Sequence, residues 1–138
     1  NAIKRMVFHG FQRCCYPLQK FDSDTERRFA IMLEDDKTVL KWMKPASGHF
    51  QIEYKNGVPY EPDFVVETTD RILICEPKMA SELESEDVQL KARAARKWCE
   101  HATEHARQHN GKPWQYLLIP HHEIDHARTL DGLMASFA

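Results

Sequence analysis

A mixed α/β fold, built on a mostly antiparallel sheet with a parallel strand after a long helix, follows from three features of the chain. Two strand-like runs, Tyr60-Glu61-Pro62-Asp63-Phe64-Val65-Val66-Glu67 and Arg71-Ile72-Leu73-Ile74-Cys75-Glu76, are separated only by Thr68-Thr69-Asp70, the spacing of a hairpin. Ser85 then offers an N-cap, Glu86 and Asp87 suit a helix N-terminus, and helical composition persists until Asn110-Gly111 and Pro113 stop it. Trp114-Gln115-Tyr116-Leu117-Leu118-Ile119 reads as a buried strand, and because it follows a helix crossover it can pair in parallel with the hairpin's inner strand.

The other elements follow in order. Residues 1–22 carry Phe8, Phe11, Tyr16 and Phe21 and support only one or two short elements packed on the main body. Ser23, three residues before Glu26, forms a capping box and opens a helix that runs to about Glu34, before Asp35-Asp36. Thr38 to Met43 is a strand ended by Pro45 and Gly48; His49 to Tyr54 alternates with period two, and Asn56-Gly57 favours a turn with positive φ before the next strand. With the hairpin, these runs predict an antiparallel sheet of three or four strands and the order α-β-β-β-β-α-β. The inner stripe of the long helix, Val88, Ala92, Ala95, Cys99, Ala102 and Ala106, is narrow and small, which predicts close packing on the sheet.

A chain of 138 residues with 42% hydrophobic content suffices for one domain with a real core, spanning 1–138, and lies far from the disordered class. No run has the length of a membrane span or the form of a signal peptide, so a cytoplasmic protein is expected. Cys14, Cys15, Cys75 and Cys99 lack zinc-site spacing and read as reduced thiols. A net charge of −2 and a pI near 6.5 argue against autonomous tight DNA binding. They leave room for a nuclease centre held on DNA by another domain, because metal-binding acids themselves lower the charge. The start at Asn1, without an initiator Met, suggests a domain excised from a longer chain.

The hairpin also concentrates chemistry. If its turn is centred between Thr69 and Asp70, Thr68 faces Arg71, Glu67 faces Ile72, and Asp63 falls opposite Glu76 on the same face. Opposed Cβ atoms lie roughly 4.5–5.5 Å apart and like charges there repel, so a cation between the acids is expected. Glu76 and Lys78 project to that face while Pro77 points away, leaving its carbonyl as a further ligand. A turn of odd length would put the acids on opposite faces. The plainer alternative is an edge hairpin with solvated charges, although acids within such apolar strands are normally paired or metal-bound.

With these positions in hand, the chain resembles the PD-(D/E)xK nuclease superfamily, and within it the C-terminal endonuclease domain of the Res subunit of type III restriction enzymes. The resemblance covers roughly residues 20 to 120. It rests on Phe21-Asp22-Ser23-Asp24-Thr25-Glu26 opening a helix, Tyr60-Glu61-Pro62-Asp63-Phe64, Ile74-Cys75-Glu76-Pro77-Lys78, and the Lys91 to Trp98-Cys99 helix before Tyr116-Leu117-Leu118-Ile119. It implies a restriction-endonuclease-like α-β-β-β-α-β core that cuts double-stranded DNA. Asp63 and Glu76 would ligate Mg²⁺, with Mn²⁺ as a substitute, Glu26 would support the site, and Lys78 would orient or deprotonate the attacking water. It further implies an ATP-driven helicase domain in the same full-length chain, since this sequence has no Gly-x-x-x-x-Gly-Lys-Ser/Thr loop. A separate methyltransferase (Mod) subunit would supply recognition, and two copies would act together for double-strand cleavage. Independently of that likeness, a carboxylate-held divalent ion can activate the nucleophile, bind the phosphoryl oxygens and stabilise the leaving oxygen, and Mg²⁺ suits two acids in an open cleft.

Pro77 departs from the family pattern, where a small or β-branched residue is common. Lacking a ladder donor, it predicts that the strand ends or bulges there. Glu26 is also fully explained as the acid of the capping box. On the long helix Arg93, Arg96 and Lys97 share a face, with Lys91 nearby, and could touch phosphates, though such a cluster is more often a solvated helix side. His101, His105 and His109 could bind a metal or form another solvated face. His122-Glu123-Ile124-Asp125-His126 fits the His-Glu-x-x-His pattern of zinc peptidases, but it comes just after Pro120 and a strand, and has only Asp131 as a downstream acid and no further His. Two other readings stay open: a catalytically degenerate module that binds DNA or partner subunits, and a zinc hydrolase built on His122 and His126.

Overall fold

The computed structural model describes residues 2–125 and 129–138. Helix α1 (Ala2–Arg5) and the short antiparallel strands β1 (Phe8–His9) and β2 (Leu18–Gln19) form the N-terminal segment. Helix α2 (Asp24–Asp35) starts where Ser23 Oγ accepts the Glu26 N–H at 3.2 Å, satisfying one of the orphan donors of the first turn. Strand β3 (Val39–Met43) follows, then β4 (Ile52–Lys55) and β5 (Val58–Tyr60), joined by a turn in which Gly57 supplies the left-handed residue at φ 71°. The hairpin comprises β6 (Phe64–Thr68) and β7 (Ile72–Lys78). Helix α3 (Glu86–Arg107) leads into β8 (Trp114–Pro120), and α4 (His121–Asp125) and α5 (Leu130–Phe137) close the chain.

The fold is mixed α/β, with a four-stranded sheet in the order β3-β6-β7-β8. The first two pairings are antiparallel and β7–β8 is parallel, as the crossover through α3 requires. Strands β4 and β5 do not join this sheet, contrary to the sequence expectation, but form a separate ribbon whose strand part begins only at Ile52. The reason lies in its packing. Its inward residues Ile52 and Tyr60 lie against Ile74, Tyr116 and the Ala92, Ala95 and Cys99 stripe of α3, so the alternation serves a ribbon laid on that layer rather than a sheet strand. The open edge of β3 is partly covered by the N-terminal segment, where the Cys15 N–H donates to Trp42 O at 2.8 Å and the Trp42 N–H to Arg13 O at 2.9 Å.

Alternation along the strands divides the interior in two. Phe64, Val66, Leu73, Cys75, Leu117 and Ile119 face the layer containing α2, α4 and α5, and meet Phe29, Leu33, Leu130 and Leu133 there. Ile74 and Tyr116 face α3, whose small residues permit close approach; Ala102 and Ala106, at the end of the stripe, are only half-buried. All four cysteines are free thiols, and among the described residues no helix is long and apolar enough to cross a membrane.

The β6–β7 register is the expected one, running from Phe64 opposite Cys75 to Glu67 opposite Ile72. Neither Thr69 nor Asp70 has a positive φ, so the turn is closed by other means. The buried Thr68 hydroxyl accepts the Arg71 N–H at 3.1 Å, while the Thr68 N–H donates to Arg71 O at 2.8 Å. Strand β7 neither ends nor bulges at Pro77, correcting the sequence expectation, and stays in unbroken parallel register with β8 to Lys78. The Ile72 N–H donates to Pro113 O on the β8 side, so by alternation the N–H of Pro77, were there one, would point to the β6 side. There the ladder has already ended at Phe64–Cys75, and the missing donor breaks nothing.

Phe64 is fully buried, edge-on to Phe29 at 4.9 Å and tilted against Trp42 at 5.9 Å. Phe64→Ala is expected to lower unfolding free energy in urea by about 3–5 kcal/mol, the cost of a large aromatic cavity; a loss under about 1 kcal/mol would mean that the layer repacks freely.

Candidate active site

One step beyond the ladder, the β6–β7 register sets Asp63 opposite Glu76, and a second step sets Pro62 opposite Pro77. Both acids and Lys78 line one open cleft of about 480 Å³, together with Lys91 of α3 and Tyr54 and Tyr60 of the ribbon. The Pro77 carbonyl points by alternation to the β6 side, where no ladder donor meets it.

Glu76 is 2% exposed. Its Oε2 accepts the Tyr116 hydroxyl at 2.9 Å, while Oε1 finds no hydrogen-bond partner among the described residues. Burial first, and the charge of Asp63 second, push its carboxyl up to about 7, against the Tyr116 hydrogen bond, Lys78 and Tyr60. The Tyr60 hydroxyl favours the charged form of Glu76 by proximity, although it falls short of hydrogen-bond geometry. Asp63 is half-buried, and desolvation raises it to about 6; Lys44 and Lys78 pull it down, Glu26 and Asp22 push it up. The Tyr60 and Tyr116 phenols are raised by burial and by the Glu76 charge. A buried carboxylate oxygen without a donor and a second acid beside it are the pattern of groups awaiting a positive charge.

Glu26 is engaged elsewhere. Its Oε1 accepts the Asp22 N–H at 3.1 Å and pairs with Lys44 Nζ at 2.8 Å. Lys44 in turn donates to the Asp63 carbonyl at 3.2 Å and lies 4.7 Å from the centre of the Phe64 ring. Glu26 thus reaches Asp63 by charge and through Lys44 rather than by lining the cleft. Sequence reasoning missed Lys44, Tyr60 and Tyr116.

Of the basic residues on α3, only Lys91 lines the cleft. Arg93, Arg96 and Lys97 share a face as expected and border a separate groove of about 500 Å³ with Gln89 and Glu100, apart from Lys91. His101, His105 and His109 are exposed, the last two with ring centres 4.6 Å apart. His122 is 60% exposed and His126 lies outside the described residues. Among the described residues no three His, Cys, Asp or Glu side chains are gathered for a metal. The hairpin instead offers the carboxylates of Asp63 and Glu76 and the Pro77 carbonyl, all hard oxygens, and this set fits Mg²⁺, which keeps several waters and needs only one or two acids. Comparison with models of known protein families and with curated protein sequences finds no match.

Because Asp63 and Glu76 rise from 3.8 and 4.5 to about 6 and about 7, the folded state binds their protons more tightly than the unfolded state. Their stabilising effect is complete below about pH 4 and is lost as pH rises through 6 to 7. The melting temperature is expected to fall from pH 5 to pH 8 more steeply in the natural chain than in Glu76→Gln, by roughly 5 °C, and added Mg²⁺ should restore it at pH 8. Equal slopes in the two proteins would contradict the raised carboxyl. Lys44 and Glu26 side chains are 12% and 8% exposed, so breaking their pair is costly. Lys44→Met and Glu26→Gln are each expected to lose about 2–3 kcal/mol in urea unfolding, and the double variant clearly less than their sum.

Proposed function

We propose that this chain is a Mg²⁺-dependent endonuclease domain that hydrolyses DNA phosphodiester bonds, of the kind that forms the cleavage module of type III restriction enzymes. The observation that carries the reading is the convergence of Asp63, Glu76 and Lys78 at the open end of one hairpin, in one cleft, with Glu76 Oε1 unpaired. The mixed sheet, with α3 between its parallel strands, agrees with the core this superfamily uses.

Asp63 and Glu76 would hold the ion with the Pro77 carbonyl, and a Mg²⁺ there supplies Lewis acidity on the phosphoryl oxygens and a water of lowered pKa. Tyr116 fixes the Glu76 carboxylate through Oε2 and leaves Oε1 without a donor among the described residues. Lys78, on the same face, orients the attacking water and opposes the charge that builds on the phosphoryl group. Lys44 anchors the Asp63 peptide and, through Glu26, ties it to α2. With this reading go double-stranded DNA as substrate, a helicase/ATPase domain in the same full-length chain that uses ATP, a methyltransferase (Mod) subunit as partner, a cytoplasmic location, and two copies for double-strand cleavage.

With supercoiled plasmid and Mg²⁺ or Mn²⁺, the chain is expected to nick DNA, and Asp63→Ala and Lys78→Ala are each expected to reduce the rate by about 10²-fold or more. Undiminished activity in both variants would reject the assignment. DNA binding without cleavage by the unsubstituted chain would point to a degenerate module, and stoichiometric zinc lost on His122→Ala to a zinc hydrolase.

A further inference from the structure

The cleft contains a second ammonium that the proposed chemistry does not use. Lys91 lies on the second turn of α3, and its side chain is 25% exposed. Its Nζ sits 5.2 Å from the centre of the Tyr54 ring and 5.7 Å from that of Tyr60, the two aromatic residues that the β4–β5 ribbon contributes to the cleft. These rings meet edge-to-face at 5.6 Å, so neither is free to swing away without losing the other. The ammonium is also tethered from behind. Asp87, one helical turn earlier, takes Lys91 Nζ on Oδ2 at 3.1 Å, while its Oδ1 takes the Tyr54 hydroxyl at 2.9 Å and Lys55 Nζ at 3.2 Å. Asp87 is held well down, at about 2, by these three donors and stays ionised as the anchor.

We propose that Lys91 is the seat for a phosphate of the bound strand flanking the scissile one, positioned by Asp87, Tyr54 and Tyr60. This rests on the nuclease reading for the path of the strand. Neither Asp63 nor Glu76 pairs with Lys91, whose ionic partner among the described residues is Asp87, so its charge offsets the repulsion that the two acids exert on an approaching phosphodiester. The aromatic faces are occupied by lysines, Lys91 over both rings and Lys55 5.1 Å from Tyr54, which suits this wall to a backbone anion rather than to a stacked base. Arg93, Arg96 and Lys97 open on a different groove and do not share this seat.

Binding of a short fluorescent duplex in Ca²⁺, followed by anisotropy over a salt series, tests the assignment. Lys91→Met keeps the aliphatic stem against the tyrosines and removes the charge. It is expected to weaken binding about 3- to 10-fold and to reduce the slope of log affinity against log salt by about one. Lys91→Arg should retain the slope, and Arg107→Gln, a single charge lost at the far end of α3, should leave it unchanged. Melting curves establish that the variants fold, and Lys91→Gln is read in the same way if the Met variant does not. An unchanged slope in folded Met or Gln variants overturns the proposal, as does absence of duplex binding by the unsubstituted chain. Cleavage by the natural chain with an unchanged slope in the variants overturns the Lys91 seat and spares the nuclease reading. A lowered slope without cleavage supports the seat and counts against the nuclease.

Discussion

The site depends on how many residues separate β6 from β7. A two-residue connection between Thr68 and Arg71 fixes which pairs of side chains share a face, and a single inserted residue would turn every side chain of one strand over. The chain achieves this without the glycine that hairpin turns of this length usually employ. The Thr68 hydroxyl accepts the Arg71 N–H in place of the backbone carbonyl, which is taken instead by Lys112 at 2.8 Å. A buried threonine at the far end of the hairpin therefore determines that two carboxylates meet at the other.

That meeting is unfavourable by itself. Burial opposes ionisation of both Asp63 and Glu76, the Asp63 charge further opposes that of Glu76, and the lysines and tyrosines around them only partly compensate. A fold selected for stability alone has apolar residues available for these positions. Retained strain of this kind, at the lip of an open cleft, is how a protein stores affinity for a cationic ligand. Lys44 shows the limit of the compensation: its ammonium is committed to Glu26 and to the Asp63 peptide, on the α2 side, and leaves Glu76 Oε1 unmet.

The hairpin was legible in the sequence because counting across a short turn determines register, and both acids were placed by that count. The Ser23 cap and the small-residue stripe of α3 were legible for the same local reason, whereas the Glu26 carboxylate takes the Asp22 N–H rather than the Ser23 N–H that a full capping box would use. Contacts that depend on how layers are offset were not. Tyr116 reaches Glu76 only because β8 enters with Ile72 beside Trp114, and nothing local specifies that parallel offset. Alternation in β4 told that one face is buried but not that its partner is α3 rather than a sheet neighbour. A signal for Lys91 was present: it stands three residues after Val88 and four before Ala95, on the border of the buried stripe, whereas Arg93 and Lys97 lie off it.

The facing prolines at the hairpin mouth have a consequence for folding fidelity. Sliding the strands by two positions is the smallest error that keeps side chains on their proper faces, and in one direction Pro62, which has no N–H to donate, would move opposite Cys75 into a hydrogen-bonded rung. In the other direction Pro77 would move opposite Phe64, into a rung where an N–H is demanded and none exists. The ring that was expected to interrupt the strand thus acts as a stop against mis-threading, and the hairpin has one alignment in which all its rungs can form.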